Sequence, residues 1–497
     1  MAQALALPSA IACVAFASSY TSTNPGDSDI PVPDFQQYTV DLCTTDGLSS
    51  REAAVRLPET APGESNLTQL KKLLMCKWER ELLATLLDSG NDVILVLDDF
   101  DAEHHHLEPE LIERTERVYR VSSFDALSDL SAVAADIRLR GERIDQVISF
   151  TEFSQLGAGY LQSLVAAQPT DLLDWVAVRD KRLMKERVRA AGIRTAASLS
   201  LPDPNDRERR EHIKRTLRFP VVVKPALGFG TMSTRRADTP EQFDRILDDF
   251  HYEPLLPSRQ LTVEEFVTGR EMLVEGLWVN GEPEFFVAGS YLEPRLASIG
   301  SRTGGTTQLP DGAVLLPREE NAQLYERLLD FCRRVNAAFH VTHAVTEVEL
   351  FETADGELVF SEMCTRLGGS AVVPMVSEHL GEPVWHIIGR GLLSDRAHPR
   401  EVVRRHVGFV NLSPEKPGVI TTLPPVDEVA AIPGVARVWP VAKVGDTLSL
   451  SHGAEFCYIV IFGSDDRTEF DAAMKKVMTE YRVATEPAGS ADPTSAR

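Results

Sequence analysis

Two carboxylates, Glu349 and Glu362, lie thirteen positions apart in THAVTEVELFETADGELVFSEMCTRLGG. There, two runs rich in β-branched residues flank an Asp355-Gly356 pair. An Asp-Gly pair between alternating runs is a tight hairpin signal, so the runs fold back past each other and the two carboxylates fall across from one another. Like charges opposed in this way are destabilising unless a cation fills the gap. Mg²⁺ suits that gap because it takes carboxylate oxygens and keeps sites free for phosphate. Glu347 shares the strand face of Glu349 and can replace it in the pair. Arg366, four residues past Glu362 and leading into Gly368 and Gly369, brings a planar guanidinium fit for a second anion such as a carboxylate or an acyl phosphate.

Two further stretches point the same way. In FPVVVKPALGFGT an apolar run delivers Lys224 and is followed by Gly228 and Gly230. The glycines let backbone N–H groups approach phosphate oxygens, and the lysine adds a point charge. In VEEFVTGRE the residues Glu264, Glu265 and Val267 offer an acceptor and backbone groups for an adenine, and Glu271 a carboxylate for ribose hydroxyls. Taken singly, the first is a common turn and the second an acidic loop; the ordered set carries the argument.

Elements that position these groups are legible in outline. At 497 residues, 43% hydrophobic and 25% charged, the chain makes several compact units, and no apolar run is long enough to span a bilayer. A net charge of -23 argues against nucleic acid as a partner. Residues 38–175 alternate strand-like runs (93–100, 117–123, 145–152) with helical stretches, the pattern of a parallel α/β domain, and the run ending in Asp98 and Asp99 reads as a central strand opening on a crevice. Residues 1–37 read as a mobile N-terminus rather than a secretory leader, and 486–497 as a disordered tail. His104, His105 and His106 read as a solvated loop, because adjacent side chains diverge. Gly192 reads as a helix cap, and Asn280-Gly281 as a hairpin turn. Cys13, Cys43, Cys76, Cys332, Cys364 and Cys457 are scattered, as expected of reduced thiols in a cytoplasmic protein. The segment 293–310 is expected to be a lid with Gly304 and Gly305 as hinges, in which Arg295 or Arg302 binds a substrate carboxylate.

The order RDKRLMK, VVVKPALGFGT, VEEFVTGRE, EVELFETADGELVF and SEMCTRLGG resembles the ATP-grasp superfamily over about residues 145–395, most closely the L-amino acid ligases and carnosine synthase-like enzymes. The resemblance implies an α/β fold of the ATP-grasp type (α+β). It divides into the parallel domain at 38–175, a two-lobed ATP-grasp domain at 176–400 (176–267 covering nucleotide, 268–400 binding metal), and a small C-terminal α/β lobe at 401–485. It implies ATP and Mg²⁺, with Mn²⁺ as a substitute, small-molecule carboxylate and amine substrates, and a homodimer as one permitted assembly. By position, Lys181 and Lys224 contact the ATP phosphates under a loop containing Gly228, Gly230 and Thr231. Glu264, Glu265 and Val267 hold adenine, Glu271 the ribose, Glu349 and Glu362 the metal, and Arg366 the transferred phosphoryl group or acyl phosphate, with Glu347, Gly368 and Gly369 beside the substrate. The activity implied is amide formation through an acyl phosphate. The alternatives are bicarbonate activation, for which the Gln-Val-Glu-His of biotin carboxylases is missing, and an ATP-binding module without turnover. One departure is Cys364, where many members carry an Asn; a thiol is a poor Mg²⁺ ligand.

Overall fold

The computed structural model describes residues 70–487 except 254, 255, 257, 305–308, 451, 452 and 454, and leaves aside the side chains of 299 and 302–304. The expectations for 1–37, for the tail beyond 487, for Gly305 and for the Arg302 side chain therefore lie outside the described residues.

The first unit is a four-stranded parallel sheet in the order β3-β2-β1-β4, built from β1 (Lys72–Cys76), β2 (Asp92–Asp98), β3 (Arg117–Val121) and β4 (Gln146–Ser149). β2 is buried from its second residue onward, as expected of a strand covered on both faces by helices. Its carboxyl end does not open on a crevice as the sequence suggested. Asp98 caps the helix Asp99–His104 in a reciprocal capping box with Asp101, and both carboxylates close on the buried Lys77 ammonium, Asp98 at 2.6 Å and Asp101 at 3.3 Å. The histidines do not form the solvated loop the sequence suggested: His104 ends the helix and both it and His105 are half-buried. His104 stacks on Phe100 with ring centroids 4.1 Å apart, and His105 meets the same ring edge-on.

Next comes a four-stranded antiparallel sheet of order β5-β8-β6-β7, made of β5 (Ser198–Leu201), β6 (Val221–Pro225), β7 (Arg235–Ala237) and β8 (Leu261–Glu265). It is preceded by the helix Lys181–Ala190, which ends as predicted on Gly192 in the left-handed region at φ +69°, with the Ile193 N–H reaching back to the Val188 carbonyl.

The largest element is an eight-stranded sheet of order β13-β12-β9-β10-β11-β14-β18-β16. Its members are β9 (Arg270–Val279), β10 (Glu282–Tyr291), β11 (Gly312–Leu315), β12 (Ala344–Glu352), β13 (Leu358–Cys364), β14 (His406–Leu412), β16 (Val435–Pro440) and β18 (Tyr458–Ser464). Both hairpin turns form where the sequence placed them, with Asn280 and Gly281 both at positive φ and Gly356 at φ +81°. The short strands β15 (Gly418–Thr422), β17 (Thr447–Leu448) and β19 (Ala484–Glu486) form a separate small sheet. The C-terminal segment is thus not a lobe apart: β14 is buried along its whole length, pairs with β11, and carries β18 and β16 into the same sheet as β12 and β13. A strand apolar on both faces cannot stand at an edge in water, which is why the sheet continues through it.

One face of the large sheet, with Leu273, Leu277, Val345 and Phe409, packs against Leu73, Met75 and Leu82 of the first unit in a single core. The other face, with Val274, Val348 and Leu350, packs on the helices Ala322–Ala338 and Lys181–Ala190. Burial on both sides leaves the large sheet little freedom to move against the first domain. No described helix is long and apolar enough to cross a membrane.

Candidate active site

β12 and β13 pair so that Glu349 stands directly opposite Glu362, with an irregularity in the ladder immediately after Glu349. Two pairs along, on the same face, Glu347 opposes Cys364, and on the other flank β9 sets Glu275 against Glu347 and Leu273 against Glu349. The two candidates for the first metal carboxylate differ in their partners. Glu347 is buried and accepts from the Arg366 guanidinium at 3.0 Å and the Cys364 thiol at 3.1 Å. Glu349 faces Glu362 and accepts from the Tyr291 hydroxyl at 2.8 Å. Glu362 lies 2.7 Å from the Lys181 ammonium. Burial, then the like charges of Glu362, Glu347 and Glu271, push the Glu349 carboxyl well above the usual carboxylate range. Burial works against ionisation of Glu362 too, but Lys181 and Lys224 outweigh it and hold that carboxyl below the usual range. Opposed carboxylates split in this way are what a divalent cation between them resolves, because the cation removes the reason for one to keep its proton.

The cationic wall comes from three lysines. Asp180 caps the helix Lys181–Ala190, and the i, i+4 spacing sets Lys181 and Lys185 on one face of it. Besides Glu362, the Lys181 ammonium donates to the Gly228 carbonyl at 2.6 Å, tying the helix to the glycine loop. Lys185 and Lys224 converge on one oxygen of Glu264, at 3.2 and 3.1 Å. The other oxygen, Oε1, is buried without a partner, an acceptor facing the site. Burial lowers the Lys185 ammonium to about 8 although Glu264 pulls the other way. In the loop, Gly230 and Thr231 both take positive φ, +57° and +60°, so the backbone turns sharply here, and the Thr231 hydroxyl donates to the Gly230 carbonyl. In the stretch expected to hold adenine, the amides of Glu265 and Phe266 are already bonded to the Ala197 and Pro220 carbonyls, and the Glu265 carboxylate turns out to Arg218. Val267 comes next, at the lip of the cavity.

The segment after β10, expected to be a lid with hinges at Gly304 and Gly305, forms a helix over Arg295–Gly304. Its first amide, of Arg295, donates to Glu271 at 2.7 Å, and the Arg295 guanidinium is ion-paired to Asp311 and lies over the Tyr291 ring. Arg295 is therefore matched by a carboxylate of its own. Asp311 in turn accepts from the Asn411 amide at 3.1 Å.

Arg366 is held from two domains. Glu152, just beyond the end of β4 in the parallel sheet, accepts from its Nε at 2.7 Å and is also ion-paired to the buried Arg179; Glu347 takes NH1. Burial and the nearby Arg366 charge lower Arg179 to about 10. Behind this layer the Gly368 amide donates to both oxygens of Glu275 at 3.2 Å, and burial, then Glu347, pushes the Glu275 carboxyl far up. A Cβ at Gly368 would come within 2.6 Å of Glu347 and 2.8 Å of Glu275, so glycine is needed there for close approach.

A single cavity of about 1000 Å³, at the upper end of small-molecule sites, gathers these groups. Lys181, Lys224, Gly228, Gly230 and Thr231 line it. So do Glu264, Glu265, Val267, Glu271 and Arg295, and so do Glu347, Glu349, Glu362, Arg366 and Gly369. Gly368 lies behind the wall. Sequence reasoning missed Lys185, although its i, i+4 spacing from Lys181 announces a shared face. It also missed Glu152, Arg179 and Tyr291, and the C-terminal residues Phe409, Asn411 and Phe456, which line the cavity from β14 and the loop before β18. ATP and Mg²⁺ fit the residues present: opposed carboxylates for the cation, three lysines and a strained glycine loop for phosphates, and an unpartnered buried acceptor at Glu264.

Residues 217–373 match the ATP-grasp domain family. The L-arginine-specific L-amino acid ligase of Bacillus subtilis is 23% identical over 344 residues, 69% of this chain and 80% of the relative. The D-alanine–D-alanine ligase of Pseudarthrobacter chlorophenolicus is 25% identical over 45% of this chain and 56% of its own length. Among solved structures, L-amino acid ligase from Bacillus licheniformis superposes with a TM-score of 0.60 at 16% identity, covering 84% of this chain and 99% of that one. Carboxyaminoimidazole ribonucleotide synthase from Aspergillus clavatus, solved with ATP, gives 0.59 at 14% identity, covering 83% of this chain and 98% of that one.

Proposed function

We propose that this chain is an ATP-grasp ligase that joins a carboxylate to an amine through an acyl phosphate, with an amino acid as one substrate and ADP and phosphate as products. The observation that carries this is the direct opposition of Glu349 and Glu362 within one cavity that also holds Lys181, Lys224 and Arg366. Phosphoryl transfer asks a protein mainly for position and charge neutralisation, which is the chemistry this set of side chains supplies.

Bound ATP supplies the phosphoryl group, and bound Mg²⁺ draws charge from the phosphate oxygens. The chain's own part is as follows. Lys181, Lys185 and Lys224 oppose the phosphate charge, and the backbone of the 228–231 loop closes on it. Glu349 and Glu362 hold the cation. Arg366, fixed by Glu152 and Glu347, holds the substrate carboxyl as it becomes an acyl phosphate and keeps it facing the incoming amine. The helix Arg295–Gly304, tethered through Glu271 and Asp311, excludes water from an intermediate that water would destroy. No covalent nucleophile is called for. Burial pushes the Cys364 thiol far up, and the group donates to Glu347, so it serves as a neutral neighbour of the arginine rather than as a metal ligand.

The test is hydroxylamine trapping. With Mg²⁺, ATP and a panel of amino acids and small acids, ADP release should depend on an acceptable acid, and hydroxylamine should convert that acid to its hydroxamate. ADP release with no hydroxamate from any acid in the panel would overturn the acyl phosphate reading.

A further inference from the structure

A second cavity, of about 310 Å³, lies between the parallel domain and the large sheet. It is roughly twice the size of a pocket of about 150 Å³ that stays dry and takes up benzene. It is a pocket open to solvent on one side, with room for a small molecule. Its mouth is on the surface, at the exposed Thr170 and His340, well separated in sequence from the glycine loop and the lid of the first cavity.

Aromatic and branched side chains make its walls: Phe150 and Trp385, which meet edge to face at 5.5 Å, with Trp175, Phe339, Ile388 and Leu392. Most of the polar groups that line it are already matched. Gln162 accepts from the Val147 amide and donates to the Gln168 carbonyl. Thr365 accepts from Gln155 at 2.9 Å, and the Trp175 indole donates to Thr170. Asp174 is paired with Arg187 at 2.6 Å and His340 at 3.2 Å, and His343, whose imidazole burial pushes below its ordinary range, bonds the Gly391 and Leu392 carbonyls. The two charged side chains in the wall are each matched already, Asp174 by Arg187 and Arg366 by Glu152 and Glu347, so a charged occupant would give up its water for little in return.

The floor is what gives the cavity meaning. It is the chain at 365–367, the residues that follow β13 and include Arg366, and Arg366 and Val178 line both cavities. On the same face of β12 the succession runs Val345 at this cavity, Glu347 on Arg366, then Glu349 opposite Glu362. At about 3.4 Å per residue, the second cavity begins roughly 7 Å beyond Glu347.

We propose that this cavity is a second ligand site, for a compact uncharged aromatic molecule of one or two rings, whose occupancy acts on the reaction centre through the backbone that carries Arg366. The occupant enters from solvent by its own mouth and fills space that the described side chains leave open. It presses on the 365–367 segment, and so on the geometry of the guanidinium held between Glu152 and Glu347.

Fluoroindole, followed by fluorine NMR with the full-length protein and no nucleotide, is the probe. Saturable binding is expected, and indoleacetate and tryptamine, the same ring with a charge of either sign, should bind about tenfold or more weakly. Leu392→Trp, which fills the cavity, should weaken fluoroindole by a similar factor; if that variant does not fold, Thr342→Trp at the mouth takes its place. Saturating fluoroindole should change the rate of ADP release. Absence of saturable binding, equal binding of the charged analogues, or unchanged binding in a folded filled variant overturns the site. An unchanged rate at saturation overturns the coupling. The binding arm uses neither ATP nor acid, so it fails or succeeds apart from the ligase reading.

Discussion

Replacing Glu362 by Gln removes one charge and almost no volume, which makes it the sharpest probe of the carboxylate pair. Glu362 stands opposite Glu349 and 2.7 Å from the Lys181 ammonium. A cation lodged between the carboxylates loses one of two charges at contact range. At an effective dielectric constant near 20, a unit charge at 4 Å is worth about 4 kcal/mol, and each 1.4 kcal/mol is a factor of ten, so kcat should fall about a thousandfold. Stability without the metal should fall as well, because Lys181 and Lys224, which hold Glu362 ionised, lose their carboxylate partner, while the protonated Glu349 offers no repulsion to relieve. ATP measured without Mg²⁺ should bind within a few-fold of wild type, since Lys224, Lys185 and Glu264 are untouched. The assay is ADP release and hydroxamate yield across a Mg²⁺ titration, with nucleotide affinity by calorimetry. A variant with full turnover and an unshifted Mg²⁺ dependence would refute the metal assignment.

Glu152→Gln should lower kcat with little effect on ATP affinity, because it frees Arg366 to turn, and should destabilise the fold by about 3 kcal/mol by leaving the buried Arg179 without its counter-charge; steady-state kinetics and denaturant unfolding separate the two effects. The Lys185 ammonium, lowered to about 8, should lose its proton as pH rises past that value, so ATP affinity should weaken above pH 8 in wild type, and Lys185→Arg should abolish the inflection. For stability the sign is the reverse. The cost of burying this charge is present in full below pH 8 and is relieved as pH climbs from there toward the unfolded value near 10.4, which unfolding across that window will register. Gly368→Ala should cost about 2 kcal/mol, since its methyl group meets Glu347, Glu275 and Val372 inside 3 Å, and hydroxamate yield should fall with it.

Local signals and distant contacts divide this protein clearly. The hairpin turns at Gly281 and Gly356, the helix end at Gly192 and the opposition of Glu349 to Glu362 were legible, because each depends on residues within a few positions of a turn whose backbone demands a particular residue type. The pairing of Arg295 with Asp311 was not legible, because the partner lies sixteen residues on, beyond the helix Arg295–Gly304. Asp98 looked like the lip of a crevice because nothing in the run VILVLDD announces a lysine in the neighbouring strand's turn.

The sequence by itself determined the chemistry at the centre of this site: which side chains carry charge, and which strand turns bring the carboxylates together. Only the tertiary structure decided what surrounds it. Glu152 reaches Arg366 from 214 positions away, β14 enters the large sheet beside β11, and two cavities share one arginine between them. The physical reason is the range of the forces. Turn and strand preferences act over a few bonds and are written in neighbouring residues, whereas ion pairing, sheet order and cavity shape depend on which distant surfaces the hydrophobic core presses together.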